Sequence, residues 1–242
     1  MSYPFRATAA IRSVANTPLR MSYLTRLPKT ELILTILCFA LILGIPQVGV
    51  IGAFILVFAY IRRSKARPLL LNSMRFVQPL SWLKAIAVSA VLGVAIELFV
   101  ETLFNPLVEK TTNTPIDLTQ VDFKNNIFIY AGWVIVGFIL GGLLEEILFR
   151  GFLLTRVFAL FSNASTGNII GLLSTSIIFG MCHAYQGWSG VLSTGFIGII
   201  LGIVLLIKQN LWYSILTHGF INLTGLTILY LNYYDTLRTL LF

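Results

Sequence analysis

In the stretch GGLLEEILFR, residues 141–150, Glu145, Glu146 and Arg150 interrupt an otherwise apolar run. A charged side chain within a membrane-spanning helix costs roughly 2.5 kcal/mol or more, so those that persist are usually paired or functional. Glu146 and Arg150 stand four apart with the acid N-terminal to the base, the favourable order for an ion pair on a helix. Glu145 is turned about 100° away and lacks that partner. One carboxylate therefore reads as structural and the other as free for chemistry.

The chain has two histidines, His183 and His218. Each lies in an apolar segment and shares a helix face with a residue four positions away, Phe179 with His183 and Asn222 with His218. A lone buried histidine is more often a satisfied core residue than a catalyst. Here both imidazoles and the carboxylate fall on three of the last four apolar segments. Such groups avoid lipid by facing the bundle interior, where they can meet. Three convergent polar helices move the balance toward a site.

The elements that must position these groups are membrane helices. The 242 residues are 57% hydrophobic and 11% charged, with mean hydropathy +0.88, whereas a soluble domain carries about 25% charged residues. The composition predicts an all-α, polytopic transmembrane bundle of about seven helices (six to eight), an integral protein of a plasma membrane. The net charge of +8 sits between apolar segments, which is the signature of membrane orientation. No aromatic-interleaved basic stripe points to nucleic acid. Cys38 and Cys182 lie in apolar segments without a CxxC partner and read as small buried residues. Adjacent residues on a regular helix diverge, so Cys182 and His183 do not form a thiol–imidazole pair.

Residues 1–30 form a basic, acid-free tail whose composition also fits an organelle transit peptide, ranked below a cytoplasmic tail. No apolar core lies near the start, which argues against a cleaved signal. Residues 31–126 hold the N-terminal membrane helices and an external loop. In this part, 31–61 reads as a hairpin bending near Pro46, and a helix spans 82–104. The polar stretch 105–126, with Pro106 and Pro115, reads as the loop. Glu97 and Glu101 share a face of the third helix; for Glu101 an approach to the outer interface is favoured over lining a cavity, and Glu97 is left undecided. Residues 127–231 carry four further segments, at 127–150, 168–185, 188–207 and 211–231, and 232–242 form a C-terminal tail. With the N-terminus cytoplasmic, all of the Lys and Arg residues but Lys110, Lys124 and Arg238 fall on the inner side.

Taken in order, Glu145-Glu146-x-x-x-Arg150, Phe179-x-x-x-His183 and His218-x-x-x-Asn222 resemble the three-motif signature of the CPBP intramembrane endopeptidases. These include type II CAAX prenyl proteases and bacteriocin-processing or self-immunity proteins, the Abi group; a source in a prokaryotic plasma membrane fits that resemblance. It covers roughly 127–230. It implies cleavage of peptide bonds at or within the bilayer, in a membrane-associated peptide or lipidated protein. By that resemblance Glu145 and His183 activate the attacking water, while His218 and Asn222 stabilise the oxyanion. Burial brings carboxylate and imidazole proton affinities closer together, and amide and imidazole N–H groups suit an oxyanion. Glu146 holds Arg150 and fixes the helix that presents Glu145. Gly141 and Gly142 allow a neighbouring backbone or a substrate to approach closely.

Zinc is an open alternative, with Glu145, His183 and His218 as a His₂Glu set; the chain has no HExxH, and the metal-free route is favoured. Also open are a non-catalytic immunity or scaffold protein on the same fold and a proton-coupled transporter, since membrane Glu and His serve as relays. Alternating topology leaves a difficulty. Glu145 lies toward the inner end of its helix and His183 toward the outer end of its own, a separation of about 15 Å in depth at 1.5 Å per residue. Convergence requires one of these helices to be longer, and the apolar stretch 151–161 predicts a helix through 145 to about 160.

Overall fold

The computed structural model describes residues 27–123 and 125–238. Most of the basic tail assigned to 1–30 lies outside the described residues, as does Lys124. The described chain is helical throughout, with no strand. Helix α1 (Lys29–Gly44) and helix α2 (Pro46–Arg63) form a hairpin that turns at Ile45. Proline is tolerated at the first position of α2, where its missing N–H has no helical partner in any case. A short helix α3 (Arg67–Ser73) leads into α4 (Trp82–Thr112), α5 (Ile127–Ala159) and α6 (Ala164–Met181). A 3₁₀ turn at Ala184–Gln186 then opens α7 (Gly187–Lys208), followed by α8 (Leu211–Tyr230) and a final turn α9 (Tyr234–Arg238).

Four of the long helices start at a side-chain cap, which satisfies an amide left without a helical partner. Ser81 accepts from the Lys84 amide, Asn126 from Phe128, Asn163 from Thr166 and Asn210 from Trp212. By length and composition α2, α4, α5, α6 and the run Ala184–Lys208 can each cross a membrane. Helix α1 has only 16 residues, and α8 is interrupted by Ser214, Thr217, His218, Asn222 and Thr224. An arrangement of seven crossings is compatible with this set.

One boundary differs from expectation for a physical reason. Helix α4 does not end near 104 but continues to Thr112, through Pro106. Proline removes a helical hydrogen bond and clashes with the carbonyl four residues back. A π-helical turn at Val100–Phe104 widens the helix just before it, and wide turns of this kind often mark functional sites. Helix α5 is continuous over 33 residues and contains two more π-helical stretches, Gly137–Glu145 and Ile147–Leu154, on either side of Glu146.

Polarity is arranged inside out relative to a water-soluble protein. Ile36, Ile51, Ile55, Val91, Ile135 and Ile177 are exposed on the outward faces, while Glu31, Glu97, Glu146, Arg150, Arg156 and His218 are buried. Hydrocarbon solvates the first set and rejects the second. Leu148, Phe149, Phe152 and Leu153 of α5 share one apolar core with Cys38 and Ile42 of α1, Ala53 and Val57 of α2 and Phe179 of α6. The N-terminal hairpin is also locked to α5 by charge. Arg156 Nε meets Glu31 Oε2 at 2.6 Å, its Nη2 donates to Ser73 Oγ at 3.0 Å, and Tyr60 donates to Glu31 Oε1 at 3.1 Å. Small residues bring α8 against both α4 and α5. A Cβ at Gly93 would lie 2.9 Å from the Thr217 carbonyl oxygen, and one at Gly142 would lie 3.0 Å from that of Ile215. This is the close backbone approach that membrane helices use in place of a hydrophobic driving force.

Candidate active site

Helix α5 turns from exposed to buried along its length: none of Ile127–Val136 is buried, whereas every residue from Leu148 to Leu154 is. Glu146 sits where that change begins and is 0% exposed. Arg150 Nη1 donates to its Oε1 at 2.7 Å, and Nη2 donates to the Gly198 carbonyl of α7 at 3.1 Å. The guanidinium also lies over the Phe179 ring, 4.2 Å from its centroid. The same Glu146 oxygen contacts His218 Nδ1 at 2.9 Å. An ionised carboxylate only accepts hydrogen bonds, so His218 carries its proton on Nδ1 and leaves Nε2 for the site.

His183 stands two residues beyond α6, at the start of the 3₁₀ turn. Its Nδ1 lies 3.0 Å from the Phe179 carbonyl oxygen. A carbonyl is likewise an acceptor only, so Nδ1 is the protonated nitrogen and Nε2 of the neutral ring holds a lone pair. The Phe179 ring packs against both imidazoles, with centroids 5.1 Å from His183 and 5.9 Å from His218. On α8, one turn past His218, Asn222 Nδ2 donates to the Gly137 carbonyl at 2.9 Å. A Cβ at Gly141 would collide with that amide nitrogen and lie 3.5 Å from His218 Nε2.

Glu145, His183, His218 and Asn222 line one cavity of about 340 Å³. The Glu145 carboxyl lies within electrostatic reach of both imidazole rings, of Glu146 and of Arg150. The difference in depth is reduced by the length of α5. Measured from the turn at 160–163, Glu145 lies fourteen residues back from Ala159 and His183 nineteen residues on from Ala164. At 1.5 Å per residue these heights differ by about 7.5 Å, half the separation expected, and side chains span the rest.

Glu97 and Glu101 of α4 line the same cavity. The favoured reading of Glu101, an approach to the outer interface, is therefore corrected: it is 8% exposed, and Asn105 Nδ2 donates to its Oε1 at 3.0 Å. Ser193 Oγ of α7 in turn donates to Asn105 Oδ1 at 2.6 Å. Asn105 falls in the stretch that the sequence marks as a loop, because Pro106 directly follows it; in the structure it belongs to α4 and is buried. The 113–126 segment covers one end of the cavity through Ile116, Leu118 and Val121. It is held by Asp117 N donating to the Gln186 carbonyl at 3.1 Å and by Ser189 Oγ donating to that of Thr114 at 2.6 Å.

A zinc ion would need Glu145, His183 and His218 to converge as donors. Among the described residues no group of three or more His, Cys, Asp or Glu side chains is arranged to hold a metal ion. As placed, Glu145, His183 and His218 do not form such a group.

No curated protein and no solved structure matches the chain. Residues 127–224 match the family model described as Type II CAAX prenyl endopeptidase Rce1-like. That span contains Glu145, Glu146, Arg150, Phe179, His183, His218 and Asn222, so within it the chain is similar to the Rce1-like family.

Proposed function

We propose that the protein is an intramembrane endopeptidase that hydrolyses a peptide bond of a membrane-associated peptide or lipidated protein, without a metal ion. The observation that carries this reading is the way both imidazoles are held. Each has Nδ1 fixed on an acceptor-only group, Phe179 O or Glu146 Oε1, and each lines the cavity that Glu145 also lines.

In this mechanism Glu145 and the lone pair on His183 Nε2 orient a water and draw its proton as the oxygen bonds to the scissile carbonyl carbon. The carbonyl oxygen, now an oxyanion, accepts from the Asn222 amide and from His218 Nε2–H. His218 can donate from Nε2 only as the imidazolium, because Nδ1–H is committed to Glu146; the buried carboxylate stabilises that cation. When the C–N bond breaks, the proton taken from water passes to the leaving nitrogen. Ile116, Leu118 and Val121 of the 113–126 segment line the same cavity and place apolar groups beside the reacting atoms.

The test uses purified full-length protein in liposomes with matched prenylated and unmodified peptides, with and without a chelator. Cleavage is expected to persist in chelator and to disappear in Glu145→Gln and His183→Ala. Wild-type rates in both variants, or loss of cleavage on chelation, would overturn the mechanism.

A further inference from the structure

An amine does not leave a tetrahedral carbon as its anion, so the nitrogen of a peptide bond must gain a proton as the C–N bond breaks. His218 and Asn222 serve the oxyanion, and Glu145 and His183 take a proton from the water. Either that base serves twice or a further side chain supplies the acid.

Tyr185 stands where such an acid is needed. It follows His183 by two residues, in the 3₁₀ turn Ala184–Gln186, and it lines the cavity that Glu145, His183, His218 and Asn222 line. Its ring centroid lies 5.8 Å from that of His183, and its phenol is within electrostatic reach of the Glu145 carboxyl. The phenol therefore belongs to the side of the cavity where the water is activated. The turn that carries it is held on both sides, because the Gln186 amide donates to the His183 carbonyl at 2.9 Å and the Gln186 carbonyl accepts from the Asp117 amide at 3.1 Å. At 38% exposed, Tyr185 borders the cavity rather than filling the core, which leaves its hydroxyl open to a substrate.

Other protic side chains around it are already engaged. Ser193 Oγ donates to Asn105 Oδ1 and Thr194 Oγ1 to the Gly190 carbonyl. The Nδ1 protons of His183 and His218 go to Phe179 O and Glu146 Oε1. The Tyr185 oxygen accepts from Gln186 Nε2 at 3.4 Å, and among the described residues its own hydrogen meets no acceptor. A phenol both accepts and donates, and its ordinary pKa of about 10 keeps it protonated at neutral pH. A carboxylate acting as base must be ionised at that pH, so phenol and carboxylate start the cycle in complementary states.

We propose that Tyr185 is the general acid that protonates the leaving nitrogen, a further catalytic residue of this site. The proposal rests on the endopeptidase reading. As the C–N bond breaks its electron pair stays on the nitrogen, which bonds the proton released by Tyr185 Oη. The phenolate then recovers the proton that Glu145 took from the water. Water thus gives its hydroxyl to the acyl fragment and, through Glu145 and Tyr185, its proton to the amine, and no other reactant is consumed.

The test compares two leaving groups on purified full-length protein in liposomes. Prenylated and unmodified peptides are each paired with an analogue in which sulfur replaces the scissile N–H, since a thiolate leaves as its anion and needs no acid. Tyr185→Phe keeps the ring against His183 and removes only the hydroxyl. Its kcat on the amides should fall about 10²-fold with KM little changed, and its kcat on the thioesters by far less, so the amide-to-thioester ratio drops by about that factor. Glu145→Gln, which lacks the base, should slow both classes together. An unchanged ratio in Tyr185→Phe overturns the acid. With both rates at the wild-type value the tyrosine is an interfacial anchor of the kind membrane proteins carry, and with both rates lowered alike it is a packing residue. Wild-type protein that cleaves neither amides nor thioesters overturns the endopeptidase reading and the acid with it, whereas amide cleavage that Tyr185→Phe matches overturns the acid alone.

Discussion

Glu146 offers one oxygen to two partners, Arg150 Nη1 and His218 Nδ1, whereas Glu145, its neighbour in sequence, borders the cavity. The two glutamates should therefore respond differently to the same substitution. Glu145→Gln removes a proton acceptor from the reacting water, and general-base contributions are typically about 10²–10⁴-fold. Cleavage should fall by that order while the melting temperature in detergent stays at the wild-type value. Glu146→Gln also lowers kcat, because His218 loses the anion that stabilises its charged form, and in addition it leaves Arg150 buried without a counter-charge. Removing one partner of a buried pair costs about 3–5 kcal/mol, so this variant alone should melt several degrees lower. Equal melting temperatures for the two variants would refute the division of labour. The Glu146–Arg150 pair was legible from i, i+4 spacing. The bond from Glu146 to His218 spans 72 positions and depends on how α5 and α8 pack, which no local pattern encodes.

Helix α5 was legible in outline, since an uninterrupted apolar stretch after Arg150 implied a helix to about 160, and it runs to Ala159. Its π-helical stretches were not, because nothing in residue type alone separates an i→i+5 turn from an i→i+4 one. The same blindness hid the passage of α4 through Pro106 and, with it, the buried position of Asn105. Gly141, in the first wide stretch of α5, tests how tightly this element is fitted to the site. Gly141→Ala should cost catalysis rather than fold, as the methyl group pushes the Asn222 amide off the Gly137 carbonyl; loss of one oxyanion donor is worth about 10²–10³ in kcat. Gly132, on the exposed first part of the same helix, has nothing within 4 Å of a Cβ. Gly132→Ala is the control: helix propensity alone should leave it unharmed or stabilise it by about 0.5–1 kcal/mol. Matching kinetics in the two variants would remove Gly141 from the site.

At the scale of the whole molecule the loops among the described residues sort into two faces. On one, the Leu211 amide at the start of α8 donates to the Arg75 carbonyl at 2.9 Å, joining the α7–α8 turn to the segment before α4. On the other, the Asp117 amide joins the α4–α5 segment to the α6–α7 turn. The first face carries Arg62, Arg63, Lys65, Arg67, Lys84 and Lys208, and the second carries Glu109, Asp117 and Asp122 with Lys110. Cytoplasmic loops accumulate Lys and Arg within the short connections near helix ends, so we propose that the first face is cytoplasmic and that the covered end of the cavity lies on the opposite side. Cysteine labelling can read this directly, because the native Cys38 and Cys182 are buried and contribute little background. Gln120 and Lys65 are both exposed, one on each face. A membrane-impermeant maleimide added to intact cells should label Gln120→Cys at once and Lys65→Cys only after permeabilisation. The reverse pattern would invert the molecule and place the covered end of the cavity on the cytoplasmic side. That would change which pool of membrane-bound peptides can reach Glu145, while leaving the geometry around it untouched.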